Sequence, residues 1–318
     1  MLVDSIVGIY HTRISRYSKT GKIALCCIAK MENEYIHFFV EYYVNLHFDK
    51  IFIYDNNNLD GERIEEVISD YIESGLVEII DYRGREEAQL KAYQDCYSRF
   101  SKEYDWIAFF DCDEFLTFAD NTTDIHSFLS QRKFDPFQLI HVNWKVYGDN
   151  ELLDNDGRNV IERFALPIPF RTKGVEGAYG SHLENEHVKS IVRGGLSRIV
   201  WDIPLRDRYS LYQYIDRLGL IDPHTPKSIF YGCCNAEGDR VDANSPFQSI
   251  HYDTLYLRHY STKTIGEWVR NKMQRGIPDR SEIMWKKLLN LETFFRYNKK
   301  TEEKVLYAKR ILEELKNE

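Results

Sequence analysis

Five apolar residues, Trp106-Ile107-Ala108-Phe109-Phe110, run directly into Asp111-Cys112-Asp113-Glu114-Phe115. Buried carboxylates lose their hydration, so an apolar strand that ends on acids must compensate them. In an extended strand residues i and i+2 share a face, which places Asp111 and Asp113 on one side and turns Cys112 into the fold. A divalent cation is one compensation. Oxygen ligands suit Mg2+ or Mn2+, which keep several waters and complete their shell with substrate phosphates. A loop cap or an arginine partner is the other, and for an isolated Asp-x-Asp it is the commoner one.

The residues before the motif favour a ligand site. Residues 22–29 predict a buried strand, because the run Ile23-Ala24-Leu25-Cys26-Cys27-Ile28 is too continuous for a half-exposed one. Ile36, Phe39, Val40 and Tyr43 recur at helical spacing and predict a helix over 34–47 with one face on a sheet. A second strand over 50–54 closes in the polar loop Asp55-Asn56-Asn57-Asn58-Leu59-Asp60-Gly61. There follow a helix over 62–73, a third strand over 76–80, a helix on which Tyr93, Cys96, Tyr97 and Phe100 share a face, and the fourth strand, 106–110. Apolar strands alternating with amphipathic helices predict an α/β fold, a parallel sheet with helices on both faces. Ligands of such sheets bind outside the carboxyl ends of the strands, where residues 29–32, 55–58 and 111–114 all fall.

Beyond residue 118 the alternation breaks down. A helix over 125–131, strands over 138–144 and 190–192, and helices over 264–275, 281–295 and 302–315 are legible. With no repeat, low-complexity tract or linker, the expected organisation is an N-terminal extension at 1–21, one domain over 22–280 and C-terminal helices at 281–318. Within the domain, 22–118 forms a nucleotide-binding half and 119–280 an acceptor half.

A net charge of -8 argues against a nucleic-acid surface, so a small anionic substrate has to meet a local cation. The six Cys include two adjacent pairs and no CxxC, which predicts reduced, buried thiols rather than a zinc knuckle. The N-terminal residues contain no apolar run long enough for a signal peptide or a spanning helix, so the expectation is a cytoplasmic protein, with peripheral membrane association compatible.

Several segments belong together: Ala29-Lys30-Met31-Glu32-Asn33-Glu34, Ile53-Tyr54-Asp55-Asn56-Asn57, Gln89 with Tyr93, and Trp106 with Asp111 to Phe115. Further on come Trp144-Lys145-Val146-Tyr147-Gly148, Lys189-Ser190-Ile191-Val192, His259-Tyr260-Ser261-Thr262-Lys263-Thr264-Ile265-Gly266-Glu267-Trp268, Lys272 and Arg275-Gly276. In these the chain resembles bacterial family 2-like glycosyltransferases related to glycosyltransferase family 92, from residue 22 to about 280 and least between Gly194 and Leu220. The resemblance implies a GT-A-like Rossmann-type, mostly parallel sheet with a helical C-terminal layer. It also implies metal-dependent transfer of a hexose from a nucleotide diphosphate sugar, UDP-linked, to a glycan or glycolipid hydroxyl, with inversion, in surface polysaccharide or glycolipid synthesis. On it, Ala29, Lys30, Glu32, Asp55, Asn56, Gln89, Asp111 and Cys112 bind the nucleotide. Asp111, Asp113 and His259 hold Mn2+ or Mg2+, with a diphosphate contact as the other role for His259.

The chemistry is consistent with these residue types. A metal neutralises the departing diphosphate as a Lewis acid, and a neutral imidazole ligates Mn2+ while a protonated one pairs with phosphate. Each residue also has a plainer role open to it. Lys30 and Arg85 suit donor phosphates or a solvated surface, Asp55 suits a base, a ribose or an Asx turn, and Tyr93 suits the core. Inversion requires a carboxylate to take the acceptor proton. Glu176, Glu237, Asp242 and Glu267 are available, with Glu267 and Asp242 carried forward although a capping contact would also explain Glu267. Two other classes compete. A phosphohydrolase of the haloacid dehalogenase type usually carries its Asp-x-Asp after the first strand, followed by a small hydroxyl residue, whereas here Glu114-Phe115 follows the fourth. A non-catalytic glycan-binding protein would need neither metal nor base.

Overall fold

Every residue of the first strand is buried, because its two faces are covered by different helices. The computed structural model describes residues 20–317 except 120, 121, 123, 171–181, 197, 198, 200–231, 244, 246 and 279. The expected extension therefore falls outside the described residues up to residue 19, and so does Glu176. In chain order the first half comprises β1 (Ile23–Ala29), α1 (Asn33–Asn45), β2 (Lys50–Asp55), α2 (Ser69–Glu73), β3 (Val77–Asp81), α3 (Gln89–Phe100) and β4 (Trp106–Phe109). Leu25 and Cys27 face one way and share a core with Ile36, Phe39, Val40 and Tyr43 of α1. Ala24, Cys26 and Ile28 face the other way and pack with Ala92, Tyr93 and Cys96 of α3. The continuous apolar run thus follows from a strand with no solvent face, each large side chain contributing about 1.5–3 kcal/mol when fully buried.

The second half adds β5 (Glu114–Phe118), α4 (Ile125–Leu129), β6 (Leu139–Val146), α5 (Val160–Arg163), β7 (Val188–Arg193), β8 (Cys233–Cys234), β9 (Arg240–Val241) and β10 (Leu255–His259). One ten-stranded sheet results, in the order β3-β2-β1-β4-β7-β6-β10-β5, with β8 on β6 and β9 on β8. The expected Rossmann-type parallel arrangement holds for β3, β2, β1 and β4, and β6 is parallel to β8 and β10. β7 runs antiparallel to both its neighbours, and β5 antiparallel to β10. Strands β5 and β10 were not foreseen. The first begins inside the acidic motif, and the second is a five-residue run carrying Arg258 and His259 that lacks clean alternation.

At the C-terminal end α6 (Ile265–Glu267) continues through a π turn at Trp268–Lys272 into α7 (Met273–Arg275), followed by α8 (Glu282–Leu288), α9 (Leu291–Tyr297) and α10 (Glu302–Asn317). Trp268, Val269, Phe294, Ala308 and Ile311 form their own core, which is the expected helical layer. The single helix expected over 281–295 is two, because Asn290 caps the second by accepting from the Thr293 N–H at 2.9 Å. The helix expected over 62–73 likewise divides into a 3-10 turn at Ile64–Glu66 and the short α2. All six Cys are buried and free. Among the described residues no helix is long and apolar enough to cross a membrane.

One buried ion pair ties the helical layer to the sheet domain. Arg163 of α5 donates both terminal nitrogens to Glu267 at 2.8 Å, and the Tyr35 hydroxyl of α1 donates to the same carboxylate at 2.7 Å. Thr264 completes a capping box with Glu267. Burial alone would raise the Glu267 carboxyl, but Arg163, Lys263 and Thr264 outweigh it and hold it at about 2. Unfolded, it would titrate near ~4.3, so its stabilisation is complete above that range and is lost as pH falls toward 2. Glu267→Gln should therefore lower stability by about 3–5 kcal/mol at neutral pH, the cost of a buried guanidinium left unpaired. In urea denaturation the gap to wild type should shrink as pH falls below 4. A gap of under about 1 kcal/mol at neutral pH would contradict the clamp.

Candidate active site at the acidic turn

Strand β4 ends at Phe109, and the acids after it lie in a turn rather than an extended strand, closed by the Glu114 N–H donating to the Asp111 carbonyl at 3.0 Å. The sheet order explains this. β4 sits between β1 and β7 while β5 lies beyond β10, so the chain must leave the line of β4 at the acids. The expected shared strand face of Asp111 and Asp113 is therefore corrected: the turn gives the two carboxylates different partners.

Asp111 is held from the neighbouring strand. Ser190 of β7 pairs in register with Phe109, which brings the fully buried Lys189 ammonium to 2.7 Å from Asp111 and 3.7 Å from Glu114. Gln89 and Tyr93, one turn apart on α3, donate to the same Asp111 oxygen at 2.8 and 2.7 Å. Burial would lower the Lys189 pKa, but Asp111 and Glu114 outweigh it and keep the ammonium charged. Burial pushes the Glu114 carboxyl up, with Lys189 opposing.

Asp113 faces a different set. Lys272, at the end of the π turn, lies 3.1 Å from one of its oxygens and the His259 Nε2 lies 3.6 Å from the other. Burial would raise the Asp113 carboxyl, yet Lys272, His259 and Lys263 together hold it below the usual carboxylate range. Burial brings His259 down to about 4, so its imidazole is neutral at physiological pH. The Trp144 ring lies 4.1 Å from that of His259 and 4.9 Å from that of His187, making a row of rings that leads away from Asp113. These groups line a cavity of about 590 Å3 with Lys30, Glu32, Gln89, Asp111, Cys112, Glu184 and Arg275.

Of the residues expected to bind the nucleotide, Lys30, Glu32, Gln89, Asp111 and Cys112 share that lining. Ala29 is buried at the end of β1, and Glu32 pairs with Arg275 and, at 3.6 Å, with Lys263. Asp55 and Asn56 are not brought to the cavity. Asp55 accepts from the Asn57 N–H at 2.9 Å, the Asx turn, and borders a separate cleft with Lys50, Asp81 and Arg83. Asn56 spends its amide on the Tyr82 and Arg85 carbonyls at 3.0 and 2.9 Å. Arg85 lies over the Tyr82 ring. Neither Glu267 nor Asp242 reaches the cavity: Glu267 is committed to Arg163, Tyr35 and Thr264, and Asp242 is exposed beyond β9. Glu237 is also absent from the lining and has His251 at 3.7 Å.

Among the described residues no three His, Cys, Asp or Glu side chains gather as a metal seat. Of the expected trio, Asp113 and His259 face each other at 3.6 Å, while Asp111 pairs with Lys189 at 2.7 Å. A pair fits Mg2+ or Mn2+ when phosphate and water supply the rest of the shell. The neutral imidazole fits too, its Nδ1 being buried with no hydrogen-bond partner. Lys189, His187 and Glu184 had been given no site role from the sequence. A lysine inside the apolar stretch Val188 to Val192 is the one signal that could have marked the first. Lys189→Met should cost about 3–5 kcal/mol in urea denaturation by leaving Glu114 without its cation, and Glu114→Gln in the same chain should recover part of the loss. Additive losses would contradict the coupling.

A model of glycosyltransferase family 92 matches residues 22–201, more than half of the chain. A glycosyltransferase family 92 protein of Ricinus communis is 29% identical over 123 residues, 36% of this chain and 20% of that protein. Another, of Oryza sativa subsp. japonica, is 28% identical over 106 residues, 33% of this chain and 18% of that protein. The chain thus spans about a fifth of the length of these relatives. Among solved structures, S. aureus TarS 1-349 overlaps 90% of this chain and 78% of its own at 12% identity and a TM-score of 0.34. The galactosyltransferase LgtC, in complex with donor and acceptor sugar analogs, overlaps 89% and 99% at 11% identity and a TM-score of 0.34. On the family match, this chain belongs to glycosyltransferase family 92.

Proposed function

We propose that this protein is a metal-dependent glycosyltransferase that moves a hexose from a nucleotide diphosphate sugar, UDP-linked, to a glycan or glycolipid hydroxyl, with inversion. The observation that carries the proposal is Asp113, a carboxylate kept ionised at a sheet end between His259 and Lys272, in a cavity large enough for a nucleotide. Family membership favours the same activity.

Leaving-group chemistry explains the charges. Breaking the glycosidic bond puts negative charge on the diphosphate, and Lys30, Lys272, Arg275 and Arg280 line the cavity that would receive it. A chain of net charge -8 can therefore hold an anionic donor by local cations. Asp113 and His259 would hold Mn2+ or Mg2+, which supplies Lewis-acid neutralisation when bound. Lys189 holds Asp111 in place, Gln89 and Tyr93 orient it toward the nucleotide, and the Trp144 ring offers a hexose an apolar face.

Surface polysaccharide or glycolipid synthesis on the cytoplasmic side of a membrane fits this reading. Ile283, Met284 and Leu288 are exposed on α8 beside Lys286 and Lys287, a pairing of apolar and basic residues suited to a lipid headgroup region. With Mn2+ and a panel of UDP-hexoses, the protein should release UDP in the presence of a glycan acceptor. EDTA should abolish release, Mn2+ should restore it, and Asp113→Asn should lower kcat/KM by about 100-fold or more. No release with any donor, or full activity in Asp113→Asn, would contradict the assignment.

A further inference from the structure

The cavity contains four carboxylates, Glu32, Asp111, Asp113 and Glu184, and all but one are committed to cations. Glu32 pairs with Arg275 and Lys263, Asp111 with Lys189, and Asp113 with Lys272. Glu184, in the 3-10 turn before β7, has no lysine or arginine within ion-pair distance among the described residues. Its side chain keeps 34% of its exposure, with the His187 Nε2 3.9 Å away, and its charge helps raise the pKa of the neighbouring Tyr297 phenol, behind burial as the larger cause. A carboxylate fixed in an ion pair has its lone pairs occupied. One that no lysine or arginine claims and that is open to solvent can accept a proton from an incoming hydroxyl.

Its position suits that task. From Asp113 the row of rings runs through His259 and Trp144 to His187, and Glu184 stands at its far end. A hexose lying along this row, its diphosphate at the Asp113 end, would present its opposite face toward Glu184. Phe247, 4.3 Å from the His187 ring, extends the apolar shelf on that side.

Resting on the glycosyltransferase assignment above, we infer that Glu184 is the catalytic base for the acceptor. The acceptor O–H bond breaks and its proton passes to the Glu184 carboxylate. The oxygen forms a bond to the anomeric carbon, and the pair of the old carbon–oxygen bond leaves with the nucleoside diphosphate. Displacement from the side opposite the leaving group inverts the anomeric carbon.

The test uses the full chain with the donor and acceptor on which the wild type turns over. Glu184→Gln should lower kcat by about 100-fold or more while the donor KM and UDP affinity stay within about threefold. The low-pH limb of the wild-type kcat profile should vanish in Glu184→Gln and persist in Glu184→Asp, which keeps a carboxylate. Formate should restore part of the rate of Glu184→Ala. A Glu184→Gln enzyme with kcat within about threefold of wild type, or one that loses kcat and UDP binding together, would overturn the base assignment and leave the glycosyltransferase assignment standing. A wild type that turns over no donor would overturn both.

Discussion

The Lys189 contact with Asp111 and Glu114 is the constraint on which the site depends. A fully buried ammonium is costly to desolvate, and only close, hydrogen-bonded carboxylates offset that cost. Lys189 is delivered by β7, the strand that inserts antiparallel beside β4 and turns a parallel half-sheet into a mixed one. Its ammonium fixes the first acid of the turn, and the turn geometry then hands the second acid, Asp113, to His259 and Lys272 from the C-terminal half. The two halves of the chain meet at these acids: the first half supplies Asp111 and Asp113, and the second supplies both lysines, Lys189 and Lys272.

The arrangement divides labour among acids that look alike in the sequence. Asp111 is paired with Lys189, Asp113 faces Lys272 and a neutral histidine, Glu114 is buried beneath, and Glu267 is locked to Arg163 outside the cavity lining. Such separation of environments is how similar carboxyl groups take different roles. Glu184 completes the set as the carboxylate no cation claims among the described residues.

The parallel half of the fold was legible because its signals are local. Unbroken apolar runs marked β1 and β4, helical spacing marked α1 and α3, and the Asp-x-Asp position followed from counting strands. The second half depends on pairings between distant residues. β5 pairs with β10 across more than a hundred residues, and no periodicity announces that. The site divides in the same way. Asp113, His259, Lys30 and Gln89 were foreseen by motif and do line the cavity. Asp55 and Asn56, expected at the nucleotide, lie outside the cavity lining, and Asp55 forms an Asx turn, which uses the same residue types as a nucleotide contact. Glu267 sat in a matched segment but serves as a helix cap and ion-pair anchor, while Lys189 and Glu184 gain meaning only from neighbours that folding brings to them.

The central claim is that the acidic turn, facing Lys272 and His259, seats a nucleotide diphosphate. A crystal structure of the chain with UDP and Mn2+ tests it most directly. The account predicts the diphosphate in the cavity beside Asp113, with the metal between it and the Asp113 and His259 side chains. UDP bound at the separate cleft beside Asp55 and Arg83, or a metal held by residues other than Asp113, would contradict it.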